Sequence, residues 1–354
     1  MRFIVSILGM LFRPLFATVL IGVNYNTTAC SIKVVKKRGG HIVEEIDKEF
    51  KILDGNLSAE VIKFIKKLKS RYAYSYVAIL SKNTEQVLVP GVKKNQFAAF
   101  NVNEKEYKFI KLPSAFAFIL KDDITQYQNM FKKAMGLDFL FSPFVLLFFK
   151  AKTFVGDRPK LFVLQEKEDL SVLVLTRKAI LYGSFLPMSA GESVTNVRDS
   201  LPSSLSEDTL VSTTSTQSGS TAQGLDDLNT ELGGLEDELE DYENFDFDSL
   251  TSEASENVSG SSDDDDSGGS SMDNLQDLGR STTIINLLQA AIKDFYNNSL
   301  YESDFIEEIV FFDCYGISSQ AVDNIKSNLM IDFSLVGLDL LRELTNVMQI
   351  ELDS

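Results

Sequence analysis

Residues 18–36 read TVLIGVNYNTTACSIKVVK. Two apolar, largely β-branched runs, Thr18–Asn24 and Cys30–Lys36, flank the polar group Tyr25-Asn26-Thr27-Thr28. Runs of this kind around a short polar turn predict an antiparallel hairpin. Gly39-Gly40 supplies the next turn, and Ile42–Ile52 alternates well enough for a third strand. Ser58 opens a helical pattern with Val61, Phe64, Ile65 and Leu68 on one face, and Tyr74–Leu80 returns to strand. Hairpins before the first helix are not the plain βαβ alternation of a dinucleotide-binding domain.

Further along, Gln86–Val89, Gln96–Val102, Tyr107–Leu112 and Ala115–Leu120 predict a small strand-rich unit. A helix is expected over Asp122–Met135, with acids at its start, Lys132-Lys133 near its end and Gly136 as its C-terminal stop. Phe139–Phe141 is a short strand. Ser142-Pro143 caps an apolar helix over Phe144–Lys150. Leu161–Leu164, Ser171–Thr176 and Ala179–Pro187 then repeat the opening theme of antiparallel strands around a polar turn. After residue 280, Ser281-Thr282 predict the start of a helix carrying Ile285, Leu288, Ile292 and Phe295. A strand at Ile306–Phe312, a turn at Asp313–Ile317, and helices at Ser319–Leu329 and Leu335–Val347 complete the chain.

The 354 residues hold 34 Lys and Arg against 51 Asp and Glu, a formal charge of −17. That charge is local. Residues 198–280 contain 22 acids and 2 bases, which leaves 29 acids and 32 bases elsewhere. The folded body is therefore nearly neutral, and residues 190–280, rich in Ser, Thr, Gly, Asp and Glu, are too polar to offset the entropy of ordering. Within them Leu225, Leu228, Leu232, Leu235 and Leu239 recur at helical spacing. They are either a segment that docks in a partner's apolar groove or leucines scattered in a solvated linker.

Several chemistries are excluded or weakened. The single histidine, His41, lies just after the Gly39-Gly40 turn and is expected at the surface, and Cys30 and Cys314 form no CxxC pair. The acidic balance argues against nucleic-acid binding. Asp263–Asp266 lacks the spacing of a calcium loop. The neighbouring pairs Glu44-Glu45 and Glu307-Glu308 are expected on solvated faces. Phe3–Val23 is long enough to span a bilayer. Arg13 and Pro14 interrupt it, however, and a central charge costs about 2.5–3.5 kcal/mol. Residues 1–13 are expected to form an apolar helix lying on a membrane or partner, with a true span, a cleaved signal peptide or a plain packed terminus as the alternatives. The clusters Lys33/Lys36/Lys37/Arg38 and Lys63/Lys66/Lys67/Lys69/Arg71 are either ordinary solvated lysines or groups facing anionic headgroups.

Four places in this order of elements resemble an actin-like ATPase, and within that fold the PilM family, related to the cytoplasmic part of GspL. They are Leu20-Ile21-Gly22-Val23-Asn24 with Asn26-Thr27-Thr28 and Ser31–Val35; Gly136-Leu137 through Phe141–Leu147; the hairpin set Phe162–Pro187; and Ile306–Phe312 with Gly316-Ile317. The resemblance implies an α/β (α+β mixed) chain with an actin-like ATPase fold, two similar lobes, a small strand-rich inserted subdomain and a long disordered acidic insertion. The implied boundaries are an N-terminal apolar helix at 1–13, a first lobe at 14–83, the inserted subdomain at 84–141, a second lobe at 142–189 and 281–354, and the acidic linker at 190–280.

The family's nucleotide positions map onto Asn24, Asn26, Thr27, Thr28, Glu166 and Gly316. Asn24 stands where the family's magnesium-facing Asp belongs, and Asn26 where a phosphate-approaching Gly belongs. The second turn, Glu166-Lys167-Glu168-Asp169, carries carboxylates that repel a triphosphate. A pseudo-ATPase with no catalytic residues, no metal and no cofactor is expected; an ATPase with weak, partner-dependent Mg-ATP binding is the alternative. The resemblance further implies a cytoplasmic scaffold, peripheral at the inner membrane through residues 1–13. It would hold the tail of a PilN-like bitopic protein alongside other components of a type IV pilus, type II secretion, DNA-uptake or flagellar machine, with Leu225–Leu239 as a second docking segment.

Overall fold

The computed structural model describes residues 16–52, 56–91, 93–188 and 269–353. The opening hairpin forms as its sequence pattern predicts. β1 (Thr18–Tyr25) and β2 (Ala29–Arg38) pair antiparallel from Thr18↔Lys37 to Tyr25↔Cys30. Gly39 and Gly40 both take positive φ, 57° and 84°, which a two-residue hairpin turn of the primed type requires. They deliver β3 (His41–Lys51) alongside β2. Ser58 caps α1 (Ala59–Arg71) by accepting from the Val61 N–H, and Val61, Phe64, Ile65 and Leu68 are its buried face. β4 (Tyr74–Leu80) runs parallel to β1. The short strand β8 (Phe139–Phe141), which the sequence reading placed at the end of the 84–141 unit, pairs parallel to β4 and completes the first sheet. The order is β3-β2-β1-β4-β8.

The second half repeats this plan. β9 (Lys160–Gln165), β10 (Asp169–Leu175) and β11 (Ile180–Pro187) are antiparallel, and β12 (Glu308–Asp313) and β13 (Asp332–Gly337) follow in parallel. The order β11-β10-β9-β12-β13 matches the first sheet strand for strand. Each sheet is then exchanged for a helix. α3 (Pro143–Ala151), leaving β8, packs on β9 and β10, and α6 (Leu340–Asp353), leaving β13, packs on β1, β2 and β4. The two helices meet, and Lys150 pairs with Glu343 across them at 2.7 Å. One apolar core joins Leu20, Phe144, Leu147, Phe162, Phe312 and Leu344, so both lobes share it. Gly22 permits the close approach: a Cβ there would lie 3.2 Å from the Leu341 carbonyl oxygen. Two equally ordered sheets that exchange their following helices are the actin-like ATPase fold.

Between β4 and β8 the chain forms a separate three-stranded sheet of order β5-β7-β6, from β5 (Val87–Pro90), β6 (Tyr107–Leu112) and β7 (Ala115–Leu120). Phe97, Phe116 and Phe118 pack edge to face beneath it at 4.9–5.0 Å. This sheet also touches the second lobe. β5 lies against β11, and Ser114 Oγ accepts from the Ile180 N–H at 2.7 Å.

Several expected elements differ. The stretch predicted as a strand over Gln96–Val102 contains a 3-10 helix, Lys94–Phe100, ended by Asn101 at φ 55°. Ala98 and Ala99 have no β-branch to favour extension, and Asn tolerates the left-handed turn. The helix predicted over Asp122–Met135 divides into α2 (Lys121–Met130) and a 3-10 turn, with Met135 as well as Gly136 left-handed. The predicted helix Leu335–Val347 hides the edge strand β13, whose Phe333 ring lies 5.4 Å from that of Phe311; Leu338 and Asp339 separate it from α6.

Ser281 and Thr282 do not cap a helix. They lie inside α4 (Gly269–Asn297), their hydroxyls bonding back to the Leu278 carbonyl, so residues 269–280 belong to a helix rather than to the linker. Residues 1–13, Leu225–Leu239 and Asp263–Asp266 lie outside the described residues. Among those described, no helix is long and apolar enough to cross a membrane.

Candidate functional site

The β1–β2 and β9–β10 turns face each other between the lobes and are built alike. The Asn26 N–H donates to the Ala29 carbonyl at 2.9 Å, and the Glu166 N–H donates to the Asp169 carbonyl at 3.0 Å. Asn26 uses its side-chain oxygen on its own turn, accepting from the N–H groups of Thr28 and Ala29 at 2.9 and 2.8 Å. The turns then bond directly to one another. Glu168 Oε1 accepts from the Thr27 N–H at 3.0 Å and from Thr27 Oγ1 at 2.5 Å, while Lys167 Nζ donates to Thr28 Oγ1 at 3.1 Å. In an actin-like nucleotide site the backbone N–H groups of such turns receive phosphate oxygens. Here a carboxylate oxygen of the chain itself takes the Thr27 N–H.

A buried charge cluster lies behind this latch. Lys82, just past β4, places Nζ 2.7 Å from Glu166 Oε2 and 4.0 Å from Asp169 Oδ2, with both acids at most 5% exposed. Burial works against the Lys82 charge, but the adjacent carboxylates of Glu166 and Asp169 more than offset it and raise its pKa. Two acids thus share one base. Burial, then the Glu166 charge, pushes the Asp169 carboxyl up to about 7. The Oδ1 of Asp169, the Oγ of Ser171 and the Oδ1 of Asn24 are buried without a hydrogen-bond partner. Asn24 is therefore present at the base of the site as an uncharged acceptor.

The third turn is tied to the second by Arg280 of α4. Its guanidinium donates to the carbonyls of Lys167 and Glu166 at 2.8 and 2.5 Å and stacks 4.0 Å over the Tyr315 ring. Asp313 caps its own turn, accepting from the N–H groups of Tyr315, Gly316 and Ile317 at 2.7–2.9 Å. Gly316 lies in that turn at φ 91°.

Of the residues predicted from sequence, Thr27, Thr28 and Glu166 therefore come together, Asn24 ends the strand that leads into the first turn, Asn26 is absorbed by its own turn, and the turn of Gly316 is joined to the second through Arg280 and the Cys314 N–H, which donates to the Gln165 carbonyl at 3.1 Å. Sequence reasoning missed Glu168, Lys82 and Arg280 as the groups that join the lobes. Arg280 had a signal, being one of two bases in an acidic stretch. Lys82 had none beyond its place at the end of a buried strand.

These residues do not fit Mg-ATP. A triphosphate between the turns would meet the Glu168 carboxylate in place of an open N–H, and Glu166 and Asp169 without enough base to balance them. Asn24, which the sequence resemblance puts at the magnesium-facing position, carries no charge. Among the described residues, no group of three or more His, Cys, Asp or Glu is arranged to hold a metal ion.

A second concavity lies at the small sheet. The cavity, about 250 Å³, is lined by Phe109 and Ile110 of β6, Ile119 of β7, Ile124 of α2, and Leu137 and Leu140 beside and within β8. β6 and β8 are both edge strands of their sheets. Lys108, Gln128, Asp138 and Ser142 add polar groups to this lining. A groove with apolar walls and polar groups between two strand edges suits an extended peptide, which can bond to the edge backbone and insert alternate side chains.

Residues 161–353 match the family model described as Domain of unknown function (DUF8341), and the chain belongs to that family. Residues 16–148 match a second model, Domain of unknown function (DUF8569). No curated protein is similar in sequence. Among solved structures, the chain is similar to a Bacteroides thetaiotaomicron protein with actin-like ATPase fold and unknown function, at 10% identity over 93% of this chain and 96% of that one (TM-score 0.43). It is also similar to a chain of the PilM-PilN type IV pilus biogenesis complex, at 12% identity over 91% and 88% (TM-score 0.44). The ethanolamine utilization protein EutJ from Carboxydothermus hydrogenoformans is similar at 12% identity over 93% and 87% (TM-score 0.37). The fold assignment rests on the strand order and exchanged helices described above.

Proposed function

We propose that this member of the DUF8341 family is a non-catalytic, PilM-like scaffold that binds the cytoplasmic tail of a PilN-like membrane protein. Its place is the cytoplasmic face of the inner membrane, as a peripheral part of a trans-envelope machine. The observation that carries the non-catalytic reading is the Glu168 carboxylate on Thr27, 2.5–3.0 Å from its hydroxyl and N–H. An internal anion bound there competes with any incoming phosphate at no cost in association entropy. Loss of nucleotide chemistry leaves the fold as a rigid pair of lobes, and the groove between β6 and β8 is the surface that accepts the tail. The partner class comes from the sequence resemblance, and the groove's apolar lining supports it.

A synthetic peptide with the sequence of the PilN-like tail tests the reading by fluorescence anisotropy with the full chain. Saturable binding is expected. Ile110→Asp, at a position 41% exposed, should weaken it at least about tenfold without lowering the melting temperature, and Phe109→Asp should weaken it as much with some loss of stability, because its ring packs on Phe97, Phe116 and Phe118. Absent binding, or equal binding by both variants, counts against the groove.

A further inference from the structure

We propose that the tip of the β2–β3 hairpin is a docking surface for an anionic lipid bilayer. The inference rests on the membrane-side placement above and names the face that makes it. Strand register gathers the parts. Thr18 at the start of β1 is opposite Lys37 on one side and Tyr74 on the other; Lys37 is in turn opposite Ile42, and Arg38 opposite His41. The end of α1, at Arg71, precedes Tyr74 by two residues, so it reaches the same end of the first sheet. This end is opposite to the Asn26–Ala29 turn and therefore to the latch between the lobes.

Its chemistry is that of an interface binder. Ile42 and Val43 project from the tip 48% and 58% exposed, and Phe16, where the described chain begins, is 54% exposed. Lys37 and Arg38 lie across the turn from Ile42 and Val43, Lys37 directly opposite Ile42. Aliphatic groups beside basic ones are attracted by both the acyl boundary and the negative surface potential.

The neighbouring acids do not cancel this charge: Glu44 is engaged by Lys36 at 3.3 Å, and Glu45 lies 3.7 Å from Arg342. Not all of the expected basic cluster takes part. Lys33 is 5% exposed and held between Asp47 and Asp339 at 2.7 and 3.0 Å, and Lys69 is held by Asp138 at 2.8 Å. The second lobe supplies an internal comparison. Its equivalent hairpin tip carries Arg177 and Lys178, but the strand that follows begins with Ile180, only 2% exposed. That tip lacks the aliphatic pair, and its Arg177 lies 3.6 Å from Asp157.

Co-sedimentation of the full chain with phosphatidylcholine vesicles, with and without a phosphatidylglycerol fraction, tests the assignment. Binding is expected only to the anionic vesicles, falling as salt is raised. Lys37→Glu/Arg38→Glu should lower the partition coefficient at least about tenfold, each basic group near such a surface contributing roughly fivefold. Ile42→Asp/Val43→Asp should lower it comparably, and Arg177→Glu/Lys178→Glu should leave it unchanged. A melting temperature equal to that of the unaltered chain shows that each variant is folded, and Lys37→Gln/Arg38→Gln replaces any variant that fails this control. No vesicle binding, equal binding to neutral vesicles, or tip variants that partition like the unaltered chain would each overturn the proposal. Because peptide capture needs no vesicle, a failure here is distinguishable from a failure of the scaffold reading.

Discussion

Lys82→Met lowers unfolding stability by about 3–5 kcal/mol, because it strands two carboxylates that the fold buries around one base. Glu166 and Asp169 are 3% and 4% exposed, and the Lys82 ammonium is the cation 2.7 Å from the first of them. Neither acid can recover its lost hydration: Glu166 is left without its cation, and Asp169, already raised to about 7, is driven further toward its protonated form. The loss belongs to the unpaired acids rather than to the lysine. The triple variant Lys82→Met/Glu166→Gln/Asp169→Asn should therefore regain most of the stability that the single change removes, a non-additivity expected of groups in direct contact. Urea denaturation of the variants measures both effects. A loss under about 1 kcal/mol for Lys82→Met would place the cluster among exposed ion pairs of little energetic consequence.

Stability should also fall as pH rises across neutrality. The folded-state pKa of Asp169 is raised to about 7 by burial and by the Glu166 charge. In the unfolded chain an aspartate titrates near 3.9. Between those values the folded state binds the extra proton. The stabilisation is complete below pH 4, is lost progressively as pH rises through 7, and changes no further above that. Two other groups act in the opposite direction only at lower pH. Hydrogen bonds from Lys160 and Ser334 hold the Glu308 carboxyl below its ordinary range. Asp339 is lowered as well, the Arg342 N–H and Lys33 overcoming its burial. Between pH 5.5 and 8 the Asp169 effect should dominate, at about 2 kcal/mol. Melting temperatures of the unaltered chain should therefore be higher at pH 5.5 than at pH 8. Asp169→Asn should be stabilised at pH 8 and show a nearly flat profile; a profile of unchanged slope would remove Asp169 as its source.

Much of this architecture is legible in the chain because its strands are short, β-branched and separated by polar turns. The runs around Asn26–Thr28 and around Glu166–Glu168 can be read as hairpins without reference to anything distant, and the pairing confirms both. β13 was concealed for the opposite reason. Its alternation covers only Asp332–Gly337 and runs into the strong helical period of α6, whose leucines dominate any window that includes both. The start of α4 was concealed by glycine, serine and aspartate, residues with low helix propensity; Arg280, reaching back to the carbonyls of Glu166 and Lys167, ties it to the body.

At the candidate site, the sequence exposes what is missing, a magnesium-facing acid and phosphate-approaching glycines. It does not expose what replaces them. The bond from Thr27 to Glu168 spans 141 residues, and no local pattern reports a partner that distant.

Calorimetric titration of the purified full-length chain with Mg-ATP tests the central claim most directly, since the claim is that the lobes close on each other where a nucleotide would lie. The account predicts no saturable heat at nucleotide concentrations up to about 1 mM, and the same silence with Thr27→Ala. Saturable binding tighter than about 100 μM that Thr27→Ala abolishes would contradict it, because the turn would then be holding phosphate rather than Glu168.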